Sequence, residues 1–526
     1  MKKIISLLDQ APLFWVAVGL GFLVFSVNRV LPGINWTSAT TEQSLLDQGF
    51  VHALSNQEWA YEVVPESPQT YGAHVLSQYL RAALSTLTGD SGRAGIWLSL
   101  VGLTATLCGI YPLSQRIFPQ RGFGVITLIA AGALGALHFS LSPDPSAALG
   151  MALVVWGMTL FLTAITKRHP YDVFASGFLF GLAGYIRIEL SVIWVFLACY
   201  LIGLDLFQST KDKKGASYLP MAVGGLVTVL LVLWPMLDRN ITLSGSPILP
   251  GFDANMVLGA TAATGQSSAD PFLSRFMDGI KLLLFSYRGP GIFAGLLWPI
   301  GMVICLFMGR HQKLPYFWLP IMVSSLLALT MLSYVTGFES YRESLLILTP
   351  LLFPFAVLPV AYGLHLWMQL DVKPDHHCRL VWCLAGLGMY LLIQLPHFLR
   401  MGVSGNRALE SQRANLIEEF EHLSPTERNA MILSDMPGSF LTAGKWNVIG
   451  LRGETDWQIL TATYANGEFK PGELLDYMQL REITTIHLSD VEDPLVKQLM
   501  TLPDAPRFER MDSFSPPHRV FRVDWL

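Results

Sequence analysis

Long apolar runs dominate this chain, and they dictate its solvent. A helix needs about 20 mostly apolar residues to cross the hydrocarbon core of a bilayer. Runs of that kind lie near residues 11–31, 94–114, 122–141, 146–166, 173–187, 188–207, 218–237, 290–308, 315–336, 344–368 and 380–399. The fifth is short and joins the sixth at Tyr185-Ile-Arg187-Ile-Glu189, as a tight turn or as one bent helix. Composition agrees: 52% of the 526 residues are hydrophobic and 14% charged, against roughly 25% charged in soluble domains. The expected fold class is a polytopic α-helical membrane protein with about 11 transmembrane helices and a C-terminal soluble α/β domain. The run beginning at Ala11 is too long for a signal peptide and reads as an uncleaved first span.

Lysine and arginine in the short loops orient the spans. With Lys2 and Lys3 in the cytoplasm, alternate crossings return to loops holding Arg116/Arg121, Lys167/Arg168, Lys211/Lys213/Lys214, Arg310/Lys313 and Lys373/Arg379. The expected location is therefore the cytoplasmic (inner) membrane, multi-pass, with residues 1–401 as the membrane module. Outer loops 32–92 and 238–289 and the tail, 402–526, fall on the other side. In the tail, Ala430-Met-Ile-Leu-Ser434, Thr484-Thr-Ile-His-Leu488 and Arg519-Val-Phe-Arg-Val523 read as strands. Residues 406–423, 471–481 and 493–502 read as helices, and the alternation predicts a small α/β domain. A net charge of −4 leaves no electrostatic footprint for nucleic acid. The five cysteines give no disulfide framework, and none lies in the tail.

Polar residues suited to chemistry gather on the outer side. Thr40 or Thr41 can cap a short helix with Glu42 in its first turn. An acid there can act as a general base, although helix N-termini favour acids in any case. Asp144, between Pro143 and Pro145, can cap the helix that follows or face the same cavity as Glu42. Arg187, Arg239, Arg275, Lys281, Arg288 and Arg342 cluster on this face. Arginine's planar fork suits a lipid phosphate. Arg187 with Glu189, and Arg342 with Glu339 or Glu343, equally suit structural ion pairs. His376-His377-Cys378 with Cys383 matches no standard zinc spacing, so no metal site is expected. Asn35-Trp-Thr37 and Asn240-Ile-Thr242 match the glycosylation pattern, which is too common to decide anything.

In this order the residues resemble the GT-C class of membrane glycosyltransferases, and within it the polyprenyl-phosphate-sugar-dependent branch of protein O-mannosyltransferases and the aminoarabinose transferase of lipid A. Thr41-Glu42, followed by Leu45-Leu46-Asp47, stands where that branch has an acidic pair after the first span. Pro65-Glu-Ser-Pro68 leads to Tyr79-Leu80-Arg81 and on to Thr88-Gly89, like the family's loop and its glycine-ended helix. Asp144-Pro145 matches the second family acid, and Gly181 to Arg187 its glycine-rich helix with a closing arginine. Trp234-Pro235 through Arg239-Asn240 resembles the start of its central loop, and Tyr341-Arg342 with Leu348-Thr349-Pro350 its late arginine-then-proline helix. The resemblance covers roughly residues 1–400.

It implies transfer of a sugar from a polyprenyl-phosphate donor to an outer acceptor, which could be a protein, a lipid or a polysaccharide. Glu42 would be the catalytic base, with Asp144 assisting and Asp47 an alternative contributor. Arg187, Arg239 and Arg342 would bind the donor phosphate. No cofactor is required on this reading, and a divalent cation is compatible with it. Thr41 departs from the family's aspartate, which keeps open a non-catalytic scaffold in envelope assembly. A lipid or solute transporter is disfavoured, because the charges sit at span ends rather than at the midplane.

Overall fold

The computed structural model describes residues 62–64, 67–68, 74–89, 91–118, 123–132, 144–167, 169–208, 217–245, 292–312, 319–335, 341–370, 415–423, 430–442, 447–451, 470–488, 498–503, 505–511 and 518–525, with scattered positions besides. A short antiparallel pair, β1 (Glu62–Val64) and β2 (Ser67–Pro68), precedes α1 (Val75–Thr88). The helical region continues as α2 (Ser91–Ile117), α3 (Phe123–Ala131), α4 (Ser146–Lys167), α5 (Pro170–Gly184), α6 (Ile188–Ser191), α7 (Ile193–Gln208) and α8 (Leu219–Ser244). It ends with α9 (Ile292–Gln312), α10 (Leu319–Val335) and α11 (Tyr341–Leu370). Among the described residues five helices are long and apolar enough to cross a membrane: Ser91–Ile117, Ser146–Lys167, Ile188–Leu206, Leu219–Thr242 and Ser344–Gly363. The runs at 11–31 and 380–399 fall almost wholly outside the described residues.

Close contacts fix the helix directions. A Cβ on Gly102 would stand 2.7 Å from Ala148 backbone, and one on Gly109 2.7 Å from Val155, so α2 and α4 run parallel. α5 lies antiparallel to α4, where Ser176 Oγ donates to the Gly157 carbonyl at 2.7 Å. Gly177, Gly181 and Gly184 form one face of α5, packed on Gly225, Val232 and Leu233 of α8. Without side chains on that face the backbones approach closely, which is how helices associate where lipid supplies no hydrophobic drive. The chain then reverses at 185–187: Gly184 lies against Ser191, and Phe180 meets Trp194 with ring centroids 6.2 Å apart. The junction between the fifth and sixth runs is thus a tight turn, not a bent helix. At the far end of α7, Asp205 Oδ1 accepts from Tyr218 N at 2.7 Å and Oδ2 from Leu219 N at 2.9 Å, capping α8.

One expected boundary shifts. α8 does not stop near residue 237 but runs through Asp238, Arg239 and Asn240 to Ser244. Gly245, at φ 72°, ends it in the left-handed conformation that favours glycine. Arg239 is therefore helical, and the outer loop expected from 238 begins after this turn. Asn240 is buried, which removes it as a glycosylation acceptor. The outer loop expected from 32 to 92 likewise contains helix α1, closed by Gly89 at φ 69°.

The tail carries β3 (Met431–Ser434), α12 (Pro437–Thr442), β4 (Val448–Gly450), α13 (Pro471–Leu480), β5 (Ile483–Leu488), β6 (Arg507–Arg510) and β7 (Arg519–Asp524). The strands form one sheet in the order β4-β3-β5-β7-β6, with β3 parallel to β4 and β5, and β7 antiparallel to β5 and β6. One face, with Leu433, Ile449, Ile486 and Val523, is covered by Leu474, Leu475 and Met478 of α13. The other, with Ile432, Val448 and Val520, packs on Phe420, Phe440 and Phe514 and on Ala82 of α1. The tail thereby shares a core with the loop that follows the first expected span.

Candidate functional site

The turn between α5 and α6 is built by backbone. Ile186 and Arg187 donate to the Ala183 carbonyl at 3.0 and 2.9 Å. The Tyr185 hydroxyl reaches the Val232 carbonyl on α8 at 2.9 Å. The entry to α1 is tied to the same turn: His74 N donates to the Ile186 carbonyl at 2.7 Å and Leu76 N to the Tyr185 carbonyl at 3.1 Å. Three chain segments, the end of α5, α8 and the entry to α1, therefore hold the backbone from which Arg187 projects. Arg187 itself is extended (φ −149°, ψ 120°) and 6% exposed.

Its guanidinium Nη1 lies 3.9 Å from Glu189 Oε1, with both side chains 7% exposed. That is ion-pair range but beyond a hydrogen bond. The same Oε1 accepts a 2.6 Å hydrogen bond from the Ser344 hydroxyl, one turn into α11. Glu189 Oε2 is buried and has no hydrogen-bond partner among the described residues. Sequence reasoning paired Arg187 with Glu189, and the two are indeed neighbours. It missed Ser344, because an ordinary serine at a helix start carries no signal of a partner 155 residues away.

Asp144 sits at the N-terminus of α4, where its Oδ1 accepts from Ser146 N at 3.0 Å. This is the capping geometry its sequence context predicts. Gly150 of α4 lies against Ile347 of α11, so Asp144 and the start of α11 stand at the same end of the bundle. Leu233 of α8 lies against Gly184, which places half-buried Arg239 at that end too. The structure brings Asp144, Arg187, Arg239 and the first turn of α11, which contains Arg342, to one end of the helices. The Arg342 side chain, Glu42 and Asp47 lie outside the described residues. Among the described residues no group of three or more His, Cys, Asp or Glu could hold a metal ion.

Residues 74–234 match a family model described as dolichyl-phosphate-mannose-protein mannosyltransferase. No curated protein matches the chain. Among solved structures, an Archaeoglobus fulgidus oligosaccharyltransferase tethered with an acceptor peptide superposes with a TM-score of 0.54 at 12% identity, covering 98% of this chain and 74% of that one. ArnT from Cupriavidus metallidurans in the apo state gives 0.54 at 12% identity, covering 97% of both chains. The same ArnT bound to undecaprenyl phosphate gives 0.50 at 12% identity, again covering 97% of both. At these identities the likeness is one of fold, and it extends over both the helices and the tail. The chain thus shares the fold of these membrane enzymes, and residues 74–234 of its helical region match the mannosyltransferase family model.

Proposed function

We propose that this protein moves a sugar from a polyprenyl-phosphate-linked donor to an acceptor on the outer side of the cytoplasmic membrane. The observation that carries the reading is the convergence of Asp144, Arg187, Arg239 and the arginine-bearing start of α11 at one end of the helical bundle. An acid and several guanidinium-bearing segments at a bundle end suit a reaction whose leaving group is a lipid phosphate. Such a group needs fixed positive charge more than a proton. The family match and the neighbouring structures support the same reading. ArnT from Cupriavidus metallidurans was solved with undecaprenyl phosphate, and AglB from Archaeoglobus fulgidus with a dolichol-phosphate.

On this reading Glu42 takes the proton of the acceptor hydroxyl as it attacks the anomeric carbon. Asp144 assists or positions, and Asp47 is the second candidate acid. Arg187, Arg239 and Arg342 hold the phosphate as the bond to the sugar breaks. The N-terminus is cytoplasmic, the active end of the bundle faces outward, and the tail, packed on α1, helps hold the acceptor. No cofactor is needed, and a divalent cation at the phosphate is compatible with the chemistry. The test is to identify the lipid that co-purifies with the full chain by mass spectrometry and to follow donor consumption. A polyprenyl phosphate or its sugar ester is expected, with turnover abolished in Glu42→Gln and folding intact. Wild-type turnover in that variant would remove Glu42 from the mechanism. The absence of any such lipid and of any donor consumption would favour the scaffold that Thr41 leaves open.

A further inference from the structure

We infer that Glu189, anchored by Ser344, is a positioning residue for Arg187 and so sets how the bundle end recognises an anionic lipid headgroup. The inference rests on the reading that Arg187 binds the donor phosphate. Three observations carry it. The Ser344 hydroxyl fixes Glu189 Oε1 at 2.6 Å, a short bond of the charge-assisted kind. The Arg187 guanidinium stands 3.9 Å from that same oxygen, within its field but not hydrogen-bonded to it. Glu189 Oε2, buried and unmatched among the described residues, is not clasped by the guanidinium fork. A bidentate Arg–carboxylate pair would use two parallel N–H bonds and turn the fork fully toward Glu189. Here the carboxylate is held by another helix and acts on the guanidinium through its charge.

The arrangement also joins two arginine-bearing segments. Ser344 is two residues beyond Arg342, so the Ser344–Glu189 bond ties the first turn of α11 to the turn that carries Arg187. A phosphate monoester presents several oxygens, and two guanidinium segments held in fixed register can share it. Cutting the tie would leave both arginines in the chain but release their register. The loss would fall on the phosphate rather than on the hydrocarbon tail of the lipid.

The experiment uses the full chain in nanodiscs and measures affinity for undecaprenyl phosphate and for undecaprenol, the same lipid without its phosphate. The ratio of the two isolates headgroup recognition, and general loosening of the helices would change both affinities together. The wild type should prefer the phosphate, and Arg187→Ala should lose most of that preference. Glu189→Gln, which keeps an acceptor for Ser344 but removes the charge, and Ser344→Ala, which keeps the charge but removes the anchor, should each cut the ratio roughly tenfold, the scale of one charge-assisted hydrogen bond. Ser344→Thr, which retains the hydroxyl, should restore it. If Arg187→Ala loses the preference while Glu189→Gln and Ser344→Ala keep the wild-type ratio, the positioning role is overturned and the phosphate reading stands. If the wild type shows no preference for the phosphate, the phosphate reading falls and takes the positioning role with it.

Discussion

Ser344 donates a 2.6 Å hydrogen bond to Glu189 across 155 residues of sequence, between the first turn of α11 and the short helix α6. Ser344 is buried, and the second carboxylate oxygen of Glu189 has no hydrogen-bond partner among the described residues. Ser344→Ala should therefore destabilise the protein by about 1–2 kcal/mol, the range for a buried hydrogen bond to a charged group, moderated by the smaller values found between membrane helices. Thermal unfolding of the detergent-solubilised chain reads this directly. An unchanged midpoint would mean that the bond contributes nothing to stability.

Helix contact in the second half of the bundle rests on a different device. A Cβ on Gly301 of α9 would run into the Phe355 carbonyl oxygen of α11, and backbone cannot rotate away as a side chain can. Gly301→Ala should force the two helices apart, at a cost of about 3 kcal/mol or more. Gly203 of α7 is the control: nothing lies within 4 Å of its Cβ position. Gly203→Ala should be neutral or slightly stabilising, since alanine is the better helix former. Unfolding midpoints for the two variants should separate widely, and equal midpoints would show that α9 and α11 can repack.

Lipid makes the spans legible, because it demands both length and apolarity, and most of the helices lie where the apolar runs fall. The end of α8 was less legible. Asp238, Arg239 and Asn240 read as loop by polarity, yet a helix can continue past the apolar core until a residue such as Gly245 breaks it. In the tail, β3, β5 and β7 are visible as apolar or alternating runs. β4 has three residues, too few for a pattern, and the edge strand β6 reads Arg507-Phe-Glu-Arg510, polar enough to pass for loop. Near the candidate site, the Asp144 cap and the Arg187–Glu189 proximity were readable because prolines and a neighbouring acid frame these residues. The Glu189–Ser344 bond was not, because spacing reveals only local partners. Glu42 and Asp47 fall outside the described residues, so their role rests on the sequence alone.

Asp456 in the tail is fully buried and well partnered. Arg481 Nη2 lies 2.7 Å from Oδ2, the Tyr477 hydroxyl donates to the same oxygen at 2.7 Å, and Gln458 N donates to Oδ1 at 2.9 Å. Burial first, and then the charge of Asp456, pushes the Tyr477 phenol well above its ordinary range, so it stays a donor at any working pH. Arg481→Ala removes the counter-charge from a buried carboxylate and should destabilise the tail by about 3–5 kcal/mol. Tyr477→Phe removes one of several donors and should cost about 1–2 kcal/mol. Protease protection of the tail should rank wild type, Tyr477→Phe and Arg481→Ala in that order. The reverse order would show that the ion pair does not organise this segment.

The Phe440 side of the same sheet contains a buried imidazole pair. His487 Nε2 and His518 Nδ1 are 3.1 Å apart, and His487 Nδ1 is 2.9 Å from Ser434 Oγ. Phe440 stacks edge-on at 5.3 Å, and Asp435 lies 3.7 Å away at the rim. Burial first, and then the neighbouring His518, lowers the His487 pKa to about 3. In the unfolded chain the ring titrates near 6.5. The folded state therefore binds fewer protons than the unfolded one between these values. The stabilisation is complete above pH 6.5 and is lost as pH falls toward 3, with a slope approaching about 1.4 kcal/mol per pH unit. Amide exchange in β5 and β7, corrected for its intrinsic pH dependence, should show protection falling from pH 7 to pH 5. His487→Gln, which cannot titrate, should flatten that fall. A wild-type profile flat over this range would mean that the ring is protonated in the folded tail, with Asp435 outweighing burial.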